Sequence, residues 1–243
     1  MPTEGLRIKL FADGADLAVI ERLAQDSRIK GFTTNPTLMR KSGVQDYKAF
    51  AQDMLRIVPD RPISFEVFSD DFDEMERQAN EIAAWGTNVF VKVPVTNTRG
   101  EFSGPLITRL AEAGVQLNVT ALLTVDQVAQ VVECLSAGTR SFVSVFAGRI
   151  ADTGRDPLPI MQQALELLRT TPEAELIWAS PRELLNVVQA DSIGCHVITA
   201  TSDVLAKLPT IGKPLDQFSL ETVQMFYEDA KAAGYRIGTL SSQ

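Results

Sequence analysis

Short apolar runs alternate with longer amphipathic stretches along this chain. The amphipathic stretches, such as 46–58, 71–85 and 125–138, carry apolar residues at intervals of three and four. This spacing is typical of a helix with one buried face. The apolar runs are rich in β-branched and aromatic residues, which favours strands. Eight strands are predicted, over residues 8–13, 31–35, 63–68, 89–95, 117–123, 142–148, 176–180 and 196–201.

The alternation of eight strands with helices predicts a (β/α)8 barrel, also called a TIM barrel. About 250 residues are typical of that fold, and this chain has 243. An open, doubly wound parallel sheet is the alternative, but the glycine-rich first turn that would favour it is missing. We find no linker rich in proline, glycine or serine, so one domain over residues 1–243 is expected.

Two helix starts carry the spacing of a capping box. Thr124 is followed three residues later by Gln127, and Ser180 by Glu183. In such a box the first side chain and the fourth each bond the other residue's backbone amide. Pro181 suits the first position of a helix, so a helix is predicted to begin directly after Ser180.

An additional C-terminal helix is predicted over residues 219–235. Its apolar stripe consists of Leu220, Val223, Phe226 and Tyr227. Such a stripe needs a covering surface, which is either the barrel or another subunit. We therefore expect a homo-oligomer.

Composition excludes several classes of function. The formal charge is −8, and no basic cluster with interleaved aromatic residues occurs, so nucleic acid is not expected as a partner. No apolar run reaches the roughly 18 residues of a membrane span. The first ten residues lack a basic region followed by an apolar segment, so no secretory signal is expected.

Few residues are available for metal or redox chemistry. Cys134 and Cys195 are the only cysteines, and His196 is the only histidine, beside Cys195 at the start of an apolar run. These residues provide neither a disulfide framework nor metal-ligand spacing, and a structural role is expected for His196. Nucleotide-binding glycine motifs are also missing. We expect a cytoplasmic protein without a metal or other cofactor.

Lys92 interrupts the fourth predicted strand, "VFVKVPV". One interpretation is that its methylenes lie along apolar surface while the ammonium reaches water. The other is chemical, because a lysine removed from water is more easily deprotonated and a neutral amine can form a Schiff base with a carbonyl. The rest of the chain must decide between them.

Polar residues occur at the ends of seven consecutive predicted strands. In a (β/α)8 barrel the C-terminal strand ends carry the active site. Solvation alone does not explain one polar group from each strand within apolar surroundings, so the chemical interpretation of Lys92 is favoured. These residues are Asp13, Thr33, Thr34, Asn35, Glu66, Lys92, Asn118, Thr120, Ser144, Arg149, Ser180 and Arg182.

This set of residues permits Schiff-base chemistry on a sugar. Lys92 is the candidate nucleophile, and Glu66 could move protons directly or through a water held by Thr120. Asp13 could act as the base for a hydroxyl next to the bond that breaks. Glu66 could also form a buried ion pair with Lys92 that has no role in chemistry.

The remaining polar residues suit substrate binding. Thr34, Asn35, Asn118 and Ser144 are neutral and fit sugar hydroxyls, although Asn118 could instead cap a turn. Two arginines can bind phosphate through bidentate hydrogen bonds, and the amides after Ser180 would add a helix N-terminus. The two arginines are Arg149, which could instead pair with Asp152, and Arg182.

The sequence resembles the transaldolase family over nearly its whole length. The stretches that carry the resemblance are "GFTTNPTL", "FVKVPVT", "LNVTALLT", "FAGRIADTG" and "IWASPRE". The resemblance implies a barrel with its Schiff-base lysine at Lys92, and a place in carbohydrate metabolism such as the pentose phosphate pathway. It implies Asp13 and Glu66 as acid–base groups, with Thr120 holding a catalytic water. The implied contacts to the dihydroxyacetone part are Asn35, Asn118 and Ser144, and those to phosphate are Arg149, Ser180 and Arg182.

Two positions distinguish transaldolases from the related fructose-6-phosphate aldolases. Transaldolases resemble this chain in having glutamate at Glu66 and phenylalanine at Phe146, where the aldolases tend to have glutamine and tyrosine. Two positions depart from the family pattern. Gly14 stands where serine or threonine is expected, and Pro181 replaces an aromatic residue. The first departure leaves the acceptor sugar open.

Three hypotheses follow. The first is a transaldolase that moves a dihydroxyacetone unit between sugar phosphates. The second is an aldolase of the same fold that releases free dihydroxyacetone. The third is a non-catalytic barrel kept as a binding or structural subunit, against which the set Asp13, Glu66 and Lys92 argues.

Overall fold

Eight parallel strands close into a barrel in the order in which they occur along the chain. The structure is a computed structural model and describes residues 5–237. Each strand pairs with its neighbours in sequence, and β1 pairs with β8 to close the ring. The predicted (β/α)8 barrel is confirmed. The strands are Lys9–Asp13 (β1), Ile29–Thr33 (β2), Ile63–Glu66 (β3), Val89–Pro94 (β4), Leu117–Leu122 (β5), Ser141–Val145 (β6), Ala174–Trp178 (β7) and Val197–Ala200 (β8).

Helices connect the strands on the outside of the barrel. The predicted helices at 46–58, 71–85 and 125–138 form with slightly shorter bounds, and the capping box of Thr124 and Gln127 is present. The helices are Leu17–Ala24 (α1), Pro36–Lys41 (α2), Tyr47–Ile57 (α3), Phe72–Ala83 (α4), Gly104–Glu112 (α5), Val125–Cys134 (α6), Ala147–Asp152 (α7), Leu158–Leu168 (α8), Leu185–Ser192 (α9), Ser202–Leu205 (α10) and Leu215–Ala232 (α11).

Seven of the eight strands end one to three residues earlier than the apolar pattern predicts, and β2 and β6 show why. Strand β2 stops at Thr33, because the side chain of Asn35 caps α2 and Pro36 occupies its first turn. Strand β6 stops at Val145, and α7 begins two residues later. Hydrophobicity alone does not mark these ends, since the residues that follow each strand are also largely buried.

The prediction that a helix begins directly after Ser180 is wrong. Helix α9 begins at Leu185, and the side chain of Asn186 accepts hydrogen bonds from the backbone amides of Arg182 and Glu183. Ser180 itself has a φ of 62°, a left-handed conformation that no N-cap adopts. The backbone after Ser180 therefore forms a loop held by Asn186, and not a helix N-terminus.

An aromatic cluster lies among the inward-facing residues of the barrel. The rings of Phe11 and Phe90 contact Phe142, with centroid distances of 5.4 and 4.4 Å. Side chains two positions apart on a strand share a face, so Phe90 and Lys92 face the same way. Phe146 packs against this cluster. A packed apolar layer therefore supports the residues at the C-terminal ends of the strands.

The chain divides into two compact units, residues 6–207 with the barrel and a second unit whose described part is Gly5 and residues 208–237. Within the second unit, α11 covers Leu215–Ala232 and confirms the predicted C-terminal helix, four residues earlier than expected. Every side chain of this helix is at least partly exposed. In the predicted stripe, Phe226 is 62% and Tyr227 65% exposed. The expectation of a single domain over residues 1–243 stays a prediction.

Candidate active site

A cavity of about 480 Å³ opens at the C-terminal ends of the strands. Residues from all eight strands or the segments directly after them contribute to its wall. All the polar residues predicted at strand ends except Thr34 line this cavity, and so does Phe146: Asp13, Thr33, Asn35, Glu66, Lys92, Asn118, Thr120, Ser144, Phe146, Arg149, Ser180 and Arg182.

Lys92 lies deep in this cavity and is only 6% exposed. Its Nζ donates a hydrogen bond to the backbone carbonyl of Thr34 at 2.8 Å and lies 3.1 Å from Oε2 of Glu66. Glu66 and Lys92 are direct partners in the register of β3 and β4, which brings the two side chains together. The amine therefore does not reach bulk water, and the first interpretation of Lys92 is wrong.

Asp13 stands at the end of β1 beside this pair. It accepts hydrogen bonds from Thr33 Oγ1 at 2.8 Å and from Asn35 Nδ2 at 3.4 Å. Burial raises the pKa of Asp13, and the positive charge of Lys92 only partly opposes the rise. Thr33 is in turn held by Thr199 of β8, with 2.6 Å between their hydroxyl oxygens. Asp13 is thus a carboxyl group that two hydrogen bonds hold in place and whose pKa is raised.

Asn118 is fully buried and has both ends of its amide bonded. Its Nδ2 donates to Ser64 Oγ at 2.9 Å, and its Oδ1 accepts from Ser144 Oγ at 2.7 Å. These bonds join β3, β5 and β6 and orient the amide. Asn118 therefore does not cap a turn. Its amide nitrogen points toward Ser64 and its amide oxygen toward Ser144.

The hydroxyl of Thr120 is available to form a hydrogen bond. Its Oγ1 is buried and has no hydrogen-bond partner among the described residues, although Thr120 lines the cavity. The next residue, Ala121, has a φ of 67°, and the pairing of β5 with β6 shifts at this point. A left-handed alanine is strained, and such strain is common at functional sites.

The opposite wall of the cavity carries the two arginines. The Nε of Arg182 donates to Asp152 Oδ1 at 2.9 Å, and its Nη1 to Ser180 Oγ at 3.3 Å. Asp152 thus pairs with Arg182, and the guanidinium holds the pKa of this carboxyl below its ordinary value. Arg149 lies with its guanidinium carbon 5.8 Å from the ring centroid of Phe146. This wall therefore carries two guanidinium groups and one carboxylate, that of Asp152, which would compete with a bound anion for Arg182.

Gly148 allows the segments after β6 and β7 to approach closely. A Cβ on Gly148 would lie 1.6 Å from the carbonyl oxygen of Ser180, which no side chain permits. The amide of Gly148 also donates to the carbonyl of Ala179 at 3.4 Å. The close approach brings α7, which carries Arg149, next to the loop that carries Arg182.

The site differs from the expectation in a few residues. Thr34 does not line the cavity; its side chain is buried, and its backbone carbonyl binds Lys92. Thr199 and Lys41 line the cavity but were missed. Thr199 lies within the short strand β8, where no polar strand end was recognised. Lys41 lies at the end of α2, and nothing in the local pattern turns it toward the strands.

Other candidate chemistry lies outside this cavity. His196 accepts a hydrogen bond from the amide of Leu176 at 2.9 Å through Nδ1, which fits the structural role expected for it. Burial lowers the pKa of His196. Among residues 5–237, no group of three or more histidine, cysteine or acidic side chains is arranged to bind a metal. No helix in the same range is long and apolar enough to cross a membrane.

Comparison with known proteins identifies the family. The model of the transaldolase/fructose-6-phosphate aldolase family matches residues 10–241. This chain belongs to that family. A relative from Streptococcus agalactiae, named "probable transaldolase", is 35% identical and aligns with 88% of this chain and 95% of its own length. A relative of the same name from Dehalococcoides mccartyi is 33% identical over 83% of this chain and 90% of its own length.

Solved structures show the same fold at much lower identity. Dihydrodipicolinate synthase from Rhodopseudomonas palustris superposes with a TM-score of 0.55 and is 12% identical. The match covers 95% of the transaldolase-family chain and 81% of the synthase chain. At this identity the match supports the barrel fold alone.

Proposed function

We propose that this chain is a transaldolase that transfers a dihydroxyacetone unit from a ketose phosphate to an aldose phosphate through a Schiff base on Lys92. One observation carries the proposal. The Lys92 amine lies inside the barrel, 3.1 Å from the carboxylate of Glu66, in a cavity whose other wall holds two arginines. A buried amine with a carboxylate beside it suits imine formation with a ketone.

The first half of the reaction forms the imine. Lys92 gives its ammonium proton to Glu66, and the resulting amine adds to the ketone carbon, whose oxygen takes that proton and becomes the hydroxyl of a carbinolamine. Glu66 is close enough to take a proton from the nitrogen and to return one to this hydroxyl, which leaves as water. Thr120 has a hydroxyl free of protein partners among the described residues, so it can hold a water that relays the proton.

The second half breaks and re-forms a carbon–carbon bond. Asp13 removes the proton of the hydroxyl on the fourth carbon, which becomes an aldehyde carbonyl as the bond to the third carbon breaks. The bond's electron pair moves into the iminium and leaves an enamine on Lys92. The enamine then attacks the acceptor aldehyde, and Asp13 returns its proton to the new hydroxyl. The raised pKa of Asp13 suits this exchange.

The polar residues around Lys92 suit the hydroxyls of the three-carbon unit. Asn118 and Ser144 are oriented by their mutual hydrogen bond, and Asn35 lies beside Asp13. Phosphate would bind at the opposite wall, through Arg149, Arg182 and the hydroxyl of Ser180. The amides of Arg182 and Glu183 are not available to phosphate there, because they already donate to the side chain of Asn186.

Release of free dihydroxyacetone is the second candidate function. It requires a proton donor on the open face of the enamine, and Phe146, which directly follows β6, lines the cavity together with Ser144. A phenyl ring supplies no proton and excludes water, which favours transfer. The third candidate, a non-catalytic subunit, has no use for a lysine buried in this cavity.

Borohydride trapping tests the proposal. Fructose 6-phosphate and borohydride should leave the mass of the reduced three-carbon unit or whole sugar on Lys92, as located by peptide mass spectrometry. Lys92→Ala should lose the adduct and the activity. Lys41→Ala is the matched control for the adduct, because Lys41 lines the same cavity and its loss should leave the adduct in place. An adduct that persists in Lys92→Ala would contradict the assignment.

Product analysis separates the three candidates. Incubation with fructose 6-phosphate and erythrose 4-phosphate should yield a seven-carbon ketose phosphate and glyceraldehyde 3-phosphate. Free dihydroxyacetone from fructose 6-phosphate alone, at the rate of the full reaction, would identify an aldolase. The absence of both products and of any adduct would identify a non-catalytic subunit.

Assembly and cellular place complete the proposal. We infer that the chain forms a homo-oligomer through α11, whose apolar residues, including Phe226, are exposed. Sedimentation should show an assembly that Phe226→Glu weakens, and a monomeric unmodified chain would contradict this. Cytoplasmic carbohydrate metabolism, such as the pentose phosphate pathway, is the proposed setting.

A further inference from the structure

The hydrogen-bond ladder between β2 and β3 stops just before it reaches Glu66. In a parallel ladder the bonds run alternately from one strand to the other. The amide of Thr34 donates to the carbonyl of Ser64 at 3.4 Å. The next two bonds would join the Glu66 amide to the Thr34 carbonyl and the amide of residue 36 to the Glu66 carbonyl. Neither forms: the Thr34 carbonyl accepts Lys92 Nζ instead, and residue 36 is a proline, which has no amide hydrogen.

The hydroxyl of Tyr47 replaces both missing bonds. It accepts the amide of Glu66 at 2.8 Å and donates to the carbonyl of Glu66 at 3.1 Å. A buried backbone amide and carbonyl without partners would each cost free energy of folding. A phenol has one donor and free acceptor capacity, so a single hydroxyl satisfies both groups. Burial raises the pKa of Tyr47, so the hydroxyl keeps its proton and remains a donor.

Aromatic packing holds this hydroxyl in place. Tyr47 begins α3, and its ring contacts Phe68, Trp85 and Phe65, with centroid distances of 4.6, 5.6 and 6.2 Å. Three rings around a fourth leave little freedom for the phenol to move. The position of the Glu66 backbone therefore depends on a residue that does not line the cavity.

We propose that Tyr47 is a positioning residue whose hydroxyl keeps the Glu66 carboxylate beside Lys92 and leaves the Thr34 carbonyl to the lysine. The role rests on the proposed Schiff-base function. Without the hydroxyl, the Glu66 amide would turn to the Thr34 carbonyl and compete with Lys92 for it. The end of β3 would shift, and both contacts of the lysine would change together.

Tyr47→Phe tests this role, because it removes the hydroxyl and keeps the ring. Displacement of a reacting pair by about 1 Å costs up to about a hundredfold in rate, so kcat should fall by about ten- to a hundredfold. KM for the ketose phosphate should stay within about twofold, since the phosphate wall is unchanged. The pH profile of kcat should shift, because the environment of the Glu66–Lys92 pair changes.

Trp85→Phe is the matched control. It reduces the same aromatic cluster but keeps the Tyr47 hydroxyl, so it should lower Tm and leave the pH profile unchanged. If Tyr47→Phe also lowers only Tm, the residue is merely structural and the proposal is overturned.

Hydrogen exchange in the unmodified chain tests the role of Tyr47 without any variant. The Glu66 amide should exchange as slowly as the amides of the strand interior, and fast exchange would also overturn the proposal.

The outcomes for Tyr47 and for the proposed function can be told apart. Absence of a borohydride adduct on Lys92 in the unmodified chain would contradict the Schiff-base function, and with it the catalytic part of this role. An adduct and full transfer activity in the unmodified chain, with the same kcat and pH profile in Tyr47→Phe, would overturn only the role of Tyr47. The expected result is an adduct in both proteins that forms more slowly in Tyr47→Phe.

Discussion

The Lys92 end of the cavity and its arginine end position their polar groups by different means. Lys92 and Asn118 are buried on strands, and each is bonded to residues of other strands or their ends. Arg149 and Arg182 are exposed, on a short helix and on a loop, and Arg182 is held by the exposed carboxylate of Asp152. The barrel therefore fixes the reacting groups rigidly, whereas the arginines bind through long, solvated side chains.

This difference predicts how the two ends respond to substitution. Changes at the buried end should act on kcat, because they displace or remove groups that act on the reacting bonds. Changes at the arginine end should act on KM and depend on salt, since exposed charges are screened. An arginine variant that changed kcat alone would break this comparison.

Asp13→Asn should have the largest effect. The amide cannot take the hydroxyl proton, so kcat should fall by about a hundred- to ten-thousandfold, the usual contribution of a general base. KM should change little by comparison. The measurement is steady-state transfer activity, and retention of most of kcat would remove Asp13 from its proposed role.

The same variant should be more stable at neutral pH. Burial raises the pKa of Asp13 above its ordinary 3.8, so its contribution to stability is complete below that pH and is lost as pH rises through the folded-state pKa. The uncharged amide of the variant has no such loss, because it does not titrate. The free energy of unfolding of Asp13→Asn relative to the unmodified chain should increase in urea titrations as the pH rises above the ordinary carboxyl pKa. A constant difference would show that burial does not raise this pKa.

Arg182→Ala should weaken phosphosugar binding. A charge-assisted hydrogen bond contributes about 1.5–3 kcal/mol, so KM should rise by about tenfold or more. Unphosphorylated fructose should be used as before. Arg169→Ala is the control, because Arg169 is an exposed arginine paired with Glu166 on α8. Equal losses with both sugars would indicate a structural role for Arg182.

Phe146→Tyr should change the ratio of the two products by less than about tenfold. The effect is small because no residue orients the new hydroxyl as an evolved general acid is oriented. The ratio of free dihydroxyacetone to transferred product should rise, since the phenol supplies a proton to the enamine. It is measured at fixed donor and varied acceptor. Phe218→Tyr is the control, as Phe218 lies on α11. An unchanged ratio in an active variant would remove Phe146 from the mechanism.

Asp152→Asn should have the smallest effect and the opposite sign. It removes a negative charge that competes with phosphate for Arg182, so KM for the ketose phosphate should fall by up to about fivefold. The gain should shrink as salt is raised. A rise in KM would mean that Asp152 orients Arg182 for phosphate and does not compete with it.

The fold and most site residues could be predicted from the sequence for local reasons. Apolar runs and helical periodicity predicted eight strands and their connecting helices, and chain order then brought polar strand ends such as Glu66 and Lys92 together. The start of α9 could not be predicted. The spacing of Ser180 and Glu183 matches a capping box, but Asn186 binds the amides and Ser180 adopts a left-handed conformation against Gly148.

The sequence by itself determined the barrel, the family and the presence of a lysine, two acids and two arginines at strand ends. Those features follow from periodicity and residue type, which are local properties of the chain. Only the tertiary structure decided which groups touch: Thr34 binds Lys92 through its backbone, Thr33 holds Asp13, and Tyr47 completes the ladder at Glu66. These contacts join residues about 20 to 60 positions apart, and the register between neighbouring strands, which sets them, is not encoded in either strand alone.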